Sequence, residues 1–319
     1  MERKSPNFDD EDDDAALFAD GTALRPYPTF SPRSSVVSVE FGSHSHPGRR
    51  RTTNDDQFMI VRLGRTHEML ASSLPDDELQ REFTESAFGA VVADGLGTNG
   101  SGVASKLAIS SLMQMVMRFG RWNLRVNDRT AWEIVERAER FYRRVAQLVT
   151  EASMGHPALA GMGSTLTATY SAGDELFVIH VGHSRAYLLR RGLLSRLTRD
   201  QTVAQRLRET GRAVPTELAG HDLRHVLTDA IGGHAGEPHV EIENYPLMDG
   251  DVLLLCTNGL TDVVDDDAIA AVLQRPAPTQ DQCRALVELA LERGGPDNIT
   301  VVTARYTIPH PGANAPAGE

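Results

Sequence analysis

Residues 89–97 read Gly89-Ala90-Val91-Val92-Ala93-Asp94-Gly95-Leu96-Gly97, an apolar run that ends on an acid flanked by glycine. Gly89–Ala93 has the length and composition of a buried strand. Asp94 sits at its edge, and Gly95 and Gly97 free the backbone to turn sharply there. Such a turn can aim the Asp94 carboxylate and the Gly95 carbonyl at one point. The pattern recurs far away in the chain. Asp56, in Arg51-Thr52-Thr53-Asn54-Asp55-Asp56, precedes the strand-like Gln57–Arg62. Asp297, in Gly295-Pro296-Asp297-Asn298, precedes Ile299–Tyr306, and Asn258 follows Val252–Cys256. Four strand edges thus offer oxygen ligands, and hard divalent cations such as Mg2+ or Mn2+ bind several carboxylate oxygens. Taken singly, Asp-Gly and Asn-Gly are also common turn dipeptides.

Further strands are expected at Thr165–Tyr170, Leu176–Val181 and Arg185–Arg190, with turns at Ser171-Ala172-Gly173-Asp174 and Arg191-Gly192. Helical spacing of apolar residues predicts helices over Ala104–Arg118, over Trp132–Ser153, and around Cys283, Leu286, Val287, Ala290 and Leu291. Hairpin-linked strands interrupted by long helices give an α+β class with helices outside an antiparallel core. Residues from about Asp200 to Gly236 lack clean periodicity and read as an excursion over the site.

The chain has 319 residues, enough for a sizeable core, and a formal net charge of −12. That sign argues against nucleic acid as a partner. Six acids run from Asp9 to Asp14, and Pro26, Pro28 and Pro32 follow. The expected organisation is a disordered tail over 1–35, one globular domain over 36–307, and a second tail over 308–319. Cys256 and Cys283 lie in apolar contexts and read as buried reduced thiols. No apolar run is long enough to cross a membrane, and no segment reads as a signal peptide. A cytoplasmic location follows as an expectation.

With these motifs in order, the chain resembles the metal-dependent PPM, or type 2C, protein Ser/Thr phosphatases of bacteria. The resemblance runs from about Gly48 to Arg305. Beyond the motifs above it includes Gly161-Met162-Gly163-Ser164-Thr165, Val181-Gly182-His183-Ser184-Arg185-Ala186-Tyr187, Leu197-Thr198-Arg199-Asp200-Gln201-Thr202, Leu255-Cys256-Thr257-Asn258-Gly259-Leu260-Thr261-Asp262, and Asp297-Asn298-Ile299-Thr300. Any one of these alone is weak; the ordered set is specific. It implies two stacked antiparallel β-sheets flanked by helices, an α-β-β-α sandwich. It also implies hydrolysis of phosphoserine and phosphothreonine on proteins, by water activated between two Mn2+ or Mg2+ ions.

In that resemblance Asp94 bridges the ions, Asp56 and the Gly95 carbonyl hold one, and Asp297 with the residue at position 258 holds the other. Arg51 is the candidate phosphate-gripping cation, since a planar guanidinium matches a phosphate with two hydrogen bonds; the alternative is a solvated member of the trio Arg49–Arg51. Asp55 acts through water in the outer shell or faces solvent. Leu96 cannot donate a proton to the leaving group.

Two positions depart from the family pattern, which has Asp at His183 and Asn258. Asn keeps an oxygen but loses the charge, so second-ion affinity is expected to fall. The resemblance places a third, weaker metal beside both positions; here that site is weak or missing, and His183 favours Mn2+ or softer ions over Mg2+. The alternative for His183 is a non-ligand histidine with a hydrogen-bonded ring. These departures support a second expectation, a weakened pseudophosphatase that binds phosphoproteins or a kinase. His44 and His46 read as part of a flexible connector, His234 as a loop residue, and Asp262–Asp267 as a helix start. Expected partners are phosphorylated proteins, the substrates of a signalling Ser/Thr kinase, with no nucleic acid and no membrane, and the chain is expected to be a monomer. The acidic tail is expected to fold back on Arg49–Arg51 and compete with substrate phosphate.

Overall fold

The computed structural model describes residues 32–74, 80–97, 100–121, 123–211, 222–233 and 236–309. The strands in chain order are β1 (Ser38–His46), β2 (Gln57–Glu68), β3 (Glu82–Ala93), β4 (Gly95–Leu96), β5 (Gly163–Ser164), β6 (Leu166–Ala172), β7 (Glu175–Val181), β8 (Arg185–Arg190), β9 (Leu193–Arg196), β10 (Ile231–Gly232), β11 (Glu241–Pro246), β12 (Val252–Cys256) and β13 (Ile299–Thr307). Among the described residues, the helices of seven or more residues are α1 (Ser101–Phe119), α2 (Asp128–Gly155), α3 (Val203–Glu209), α4 (Asp266–Leu273) and α5 (Thr279–Glu292).

One sheet runs β1-β13-β12-β8-β9 and the other β11-β7-β6-β3-β2, with a small third sheet, β10-β5-β4, near the turn after β3. The pairings of β13 with β1 and β12, and of β6 with β3 and β7, are antiparallel. Residue alternation shows the layers. Leu253 and Leu255 of β12 pack with Ala90 and Val92 of β3 between the sheets. Their neighbours point outward: Val252, Leu254 and Cys256 pack among residues of α4 and α5, and Val91 and Ala93 among residues of α1 and α2. Strands buried on both faces read as unbroken apolar runs, which is why β3 and β12 stand out in the sequence. The expected α-β-β-α sandwich is the fold observed.

Local chemistry sets the boundaries. Gly173-Asp174 joins β6 to β7 in two residues. Arg191 and Gly192, with φ of 49° and 82°, close the β8–β9 hairpin. Asn127 caps α2 by accepting from Thr130 N, while Thr130 Oγ1 accepts from Asn127 N. Asp265 caps α4 by accepting from Ala268 N at 2.9 Å, so the acidic stretch is a helix start, as its charge pattern indicates.

Order begins earlier than the tail reading placed it. Arg33–Val36 forms a helical turn, and buried Ser34 donates to Glu85 Oε1 at 2.7 Å. At the other end Ile308 is buried and its N–H donates to Asp249. The connector reading of Ser43–His46 is also corrected: these residues end β1, in register with Ile299–Val302. Polar Ser and His hide an edge strand whose pairing comes from a distant partner. The end of β2 from His67 and the start of β3 through Phe83 belong to a separate compact unit, within which Met69 N donates to Arg81 O. The acidic run Asp9–Asp14, the last ten residues and His234 lie outside the described residues.

Candidate active site

Asp56 ends the loop before β2 and is 3% exposed. Its Oδ2 accepts from Thr257 Oγ1 at 2.7 Å, whereas its buried Oδ1 has no hydrogen-bond partner. Thr257, which sequence reasoning gave no role, also accepts from Thr300 N and so joins the ends of β12 and β13 beneath the acid. Asp94 leaves β3 with its backbone fixed on both sides. Its N–H donates to Thr165 Oγ1, and its carbonyl accepts from Thr165 N and Ser164 Oγ. Gly95 continues into β4, pairing with Ser164. It must be glycine there, because a Cβ would run into the backbone of Ser101.

Asp56 and Asp94 lie close enough for each to shift the other's carboxyl. Burial pushes the Asp56 carboxyl up to about 6, the Asp297 charge adding to it against the Thr257 hydrogen bond. Burial, then the charges of Asp56 and Asp297, push Asp94 well above the usual carboxylate range. Two carboxylates packed this closely cannot both ionise cheaply; the pair favours a shared proton or a cation.

Asp297 stands at the entry to β13, electrostatically coupled to both acids but held differently. Arg51 clamps it with two parallel hydrogen bonds, Nε to Oδ1 at 2.8 Å and Nη2 to Oδ2 at 2.9 Å. Arg51 is therefore not a free member of a basic trio. Among the described residues, no three or more His, Cys, Asp or Glu side chains form a ready-made metal cage. The expected convergence of three carboxylates is thus split: Asp56 with Asp94, and Asp297 with Arg51. The physical reason is that clustered acids recruit the nearest counter-charge.

Asn298, whose part in the Asp297–Thr300 motif carries no functional signal in the sequence, holds the site together. Its Oδ1 accepts from Asp55 N, and its Nδ2 donates to Pro47 O and Thr53 O. The loop carrying Arg51, Asp55 and Asp56 is thereby stapled to the entry of β13. Asp55 does not face open solvent: its Oδ2 accepts from Ser101 Oγ at 2.6 Å, and its carbonyl from Ser105 Oγ, which ties the loop to the start of α1.

Asn258 is buried and begins a helical turn, Asn258–Thr261, directly after Thr257. Its Nδ2 donates to Asp262 Oδ2 at 3.1 Å, leaving its amide oxygen as the possible ligand atom. Gly259 follows, where a Cβ would strike the Asn298 carbonyl; this contact seats the turn on the Asp297–Asn298 corner. His183, after β7, is buried, and its Nδ1 has no partner. Burial lowers its ring to about 4, so it stands as a neutral imidazole at neutral pH. The hydrogen-bonded alternative fails at that nitrogen.

These groups fit a hard divalent cation. A buried carboxylate oxygen lacks a partner, two carboxyls are held together against their own charge, and the neighbouring donors are oxygens.

Comparison with known proteins agrees in fold and family. Serine/threonine protein phosphatase PstP of Mycobacterium tuberculosis is 37% identical over 214 residues, 67% of this chain and 39% of that protein, so the match spans about two-fifths of its length. Serine/threonine phosphatase stp of Listeria monocytogenes is 30% identical over 228 residues, 70% of this chain and 87% of that protein. The crystal structure of the catalytic domain of PstP in complex with two manganese ions superposes with a TM-score of 0.65 at 30% identity, over 85% of this chain and 100% of that one. The family model described as protein phosphatase 2C matches residues 64–292. With the sandwich fold and the acid cluster at its strand edges, this match establishes that the chain belongs to the protein phosphatase 2C family.

Proposed function

We propose that this chain is a metal-dependent protein serine/threonine phosphatase that hydrolyses phosphoserine and phosphothreonine on proteins. The observation that carries the reading is the pairing of buried Asp56, with an unpartnered oxygen, and half-buried Asp94, electrostatically coupled to Asp297 in the Arg51–Asp297 ion pair. The names of the relatives support the same activity.

Asp56, Asp94 and the Gly95 carbonyl would hold one ion, and Asp94, Asp297 and Asn258 a second. When bound, such ions acidify water and neutralise phosphoryl charge. Mn2+ is the ion in the similar PstP structure and suits this mixed donor set; Mg2+ is the harder alternative. Arg51 would grip the phosphoryl oxygens in the geometry it now gives to the Asp297 carboxylate. Thr257 holds Asp56 in place, and Asn298 fixes the loop that presents Arg51. The neutral Asn258 weakens the second position, and His183 offers nitrogen where the family pattern has an acid.

Partners under this reading are phosphorylated proteins in a signalling pathway with a Ser/Thr kinase, and the chain acts as a monomer in the cytoplasm. Among the described residues, no helix is long and apolar enough to cross a membrane.

Purified protein with Mn2+ should hydrolyse p-nitrophenyl phosphate and a phosphothreonine peptide, and Asp94→Ala should not. Equal rates for the two proteins at every Mn2+ concentration refute the proposal. Asn258 is the observation that favours a second reading, a binder without turnover. If activity appears only in Asn258→Asp, that reading replaces the first.

A further inference from the structure

We propose that His225 is the general acid that protonates the leaving serine or threonine oxygen, with Asp262 as its positioning residue. The inference rests on the phosphatase reading and adds a catalytic group to it. Leu96, which lies in β4 and follows Asp94 and Gly95, has no proton to give. An alkoxide is a poor leaving group, so a phosphatase acting on Ser and Thr needs a donor from elsewhere.

A line of contacts runs from the acid cluster to His225. Asp56 accepts from Thr257, and Asn258 follows Thr257 in the chain. Asn258 Nδ2 donates to Asp262 Oδ2 at 3.1 Å, and the same Oδ2 lies 3.7 Å from His225 Nδ1. This is ion-pair rather than hydrogen-bond distance: the carboxylate attracts the protonated ring on its Nδ1 side, and Nε2 is the nitrogen proposed to donate. The side chain of His225 is 47% exposed, so an incoming ester can reach it.

The backbone holds it there. The next residue, Val226, accepts from Val203 N at the start of α3, and Thr228 N donates to Gln201 O. Gln201 in turn bonds Gly182 through both its N–H and its Oε1, directly before His183. These bonds hold the segment of His225 near Asp262, and its charge is felt at both Asp262 and His183, as that of Arg224 is at Asp262. His183 itself cannot serve, because it is buried and its Nδ1 lacks a partner.

In the step, a water oxygen bonds to phosphorus as the ester P–O bond breaks. The proton on Nε2 passes to the departing oxygen, and the proton shed by the attacking water returns to the imidazole through solvent.

The test compares leaving groups. Wild type, His225→Gln, His225→Ala and Asp262→Asn are assayed with Mn2+ on p-nitrophenyl phosphate, phenyl phosphate and a phosphothreonine peptide. p-Nitrophenolate departs without help, whereas phenolate and alkoxide need a proton. The ratio of kcat on the peptide to kcat on p-nitrophenyl phosphate should fall roughly 100-fold in both His225 variants, within the range of general-acid effects. Phenyl phosphate should fall between, and Asp262→Asn should show the same bias with a smaller loss. Any fraction of misfolded protein cancels from the ratio. An active wild type with an unaltered ratio in the His225 variants overturns this inference alone. A wild type inactive on all three substrates overturns the phosphatase reading and this inference with it.

Discussion

Replacing Asp56 with Asn should stabilise the metal-free protein, and only above the acid range. Asp56 is 3% exposed, and burial raises its carboxyl from an ordinary 3.8 to about 6. Because the folded-state value is raised, the fold favours the protonated acid. Below pH 3.8 both folded and unfolded chains carry the proton, and the shift has no effect. As pH rises from 3.8 through about 6, the unfolded chain releases its proton while the folded chain retains it, and stability falls. At ~1.36 kcal/mol per pKa unit, the gap between 3.8 and about 6 comes to about 3 kcal/mol lost at neutral pH. Asn copies the protonated acid in shape and can still accept from Thr257. In EDTA, urea denaturation should therefore show Asp56→Asn and wild type close together at pH 4, with the variant about 3 kcal/mol more stable at pH 7.5. Added Mn2+ should return this deficit to the wild type: an ion at 100 times its Kd contributes about 2.7 kcal/mol. The variant, lacking the charge, should gain much less. A difference between the proteins that does not change with pH would refute the reasoning, as would a variant less stable than wild type at pH 7.5.

Two further substitutions probe the partners of this cluster. Arg51→Ala removes two charge-assisted hydrogen bonds to phosphate, worth about 1.5–3 kcal/mol, so KM for a phosphothreonine peptide should rise roughly 10- to 100-fold. It also releases Asp297, so Mn2+ affinity by calorimetry should tighten; weaker Mn2+ binding would contradict the role given to the ion pair. Gly259→Ala drives a Cβ into the Asn298 carbonyl and should cost about 1–3 kcal/mol in urea denaturation, with loss of phosphatase activity as the loop staple shifts. An unchanged urea midpoint would show that the Gly259 contact is not tight.

The sandwich was legible where burial leaves its mark in composition. Val252–Cys256 and Gly89–Ala93 are apolar throughout because both faces are covered. The second half of Ser38–His46 was not legible: Val39 and Phe41 alternate with polar residues, but Ser43–His46 carries no apolar alternation and is strand because β13 pairs with it. The same division holds in the site. Asp56, Asp94, Asp297 and Arg51 were readable one by one, as acids and a cation beside strand edges. That Arg51 takes both oxygens of Asp297 was not readable, for it depends on three acids from distant parts of the chain coming near one another. Once Asp56 and Asp94 face each other, a third carboxylate is best placed against a guanidinium, and the Asn298 staple brings Arg51 within reach. This arrangement couples the two ligands of the proposed reaction. A cation drawing on Asp297 and a phosphate drawing on Arg51 each break the same pair of hydrogen bonds. Whichever binds first has met that cost for the other, so the two favour each other's binding reciprocally.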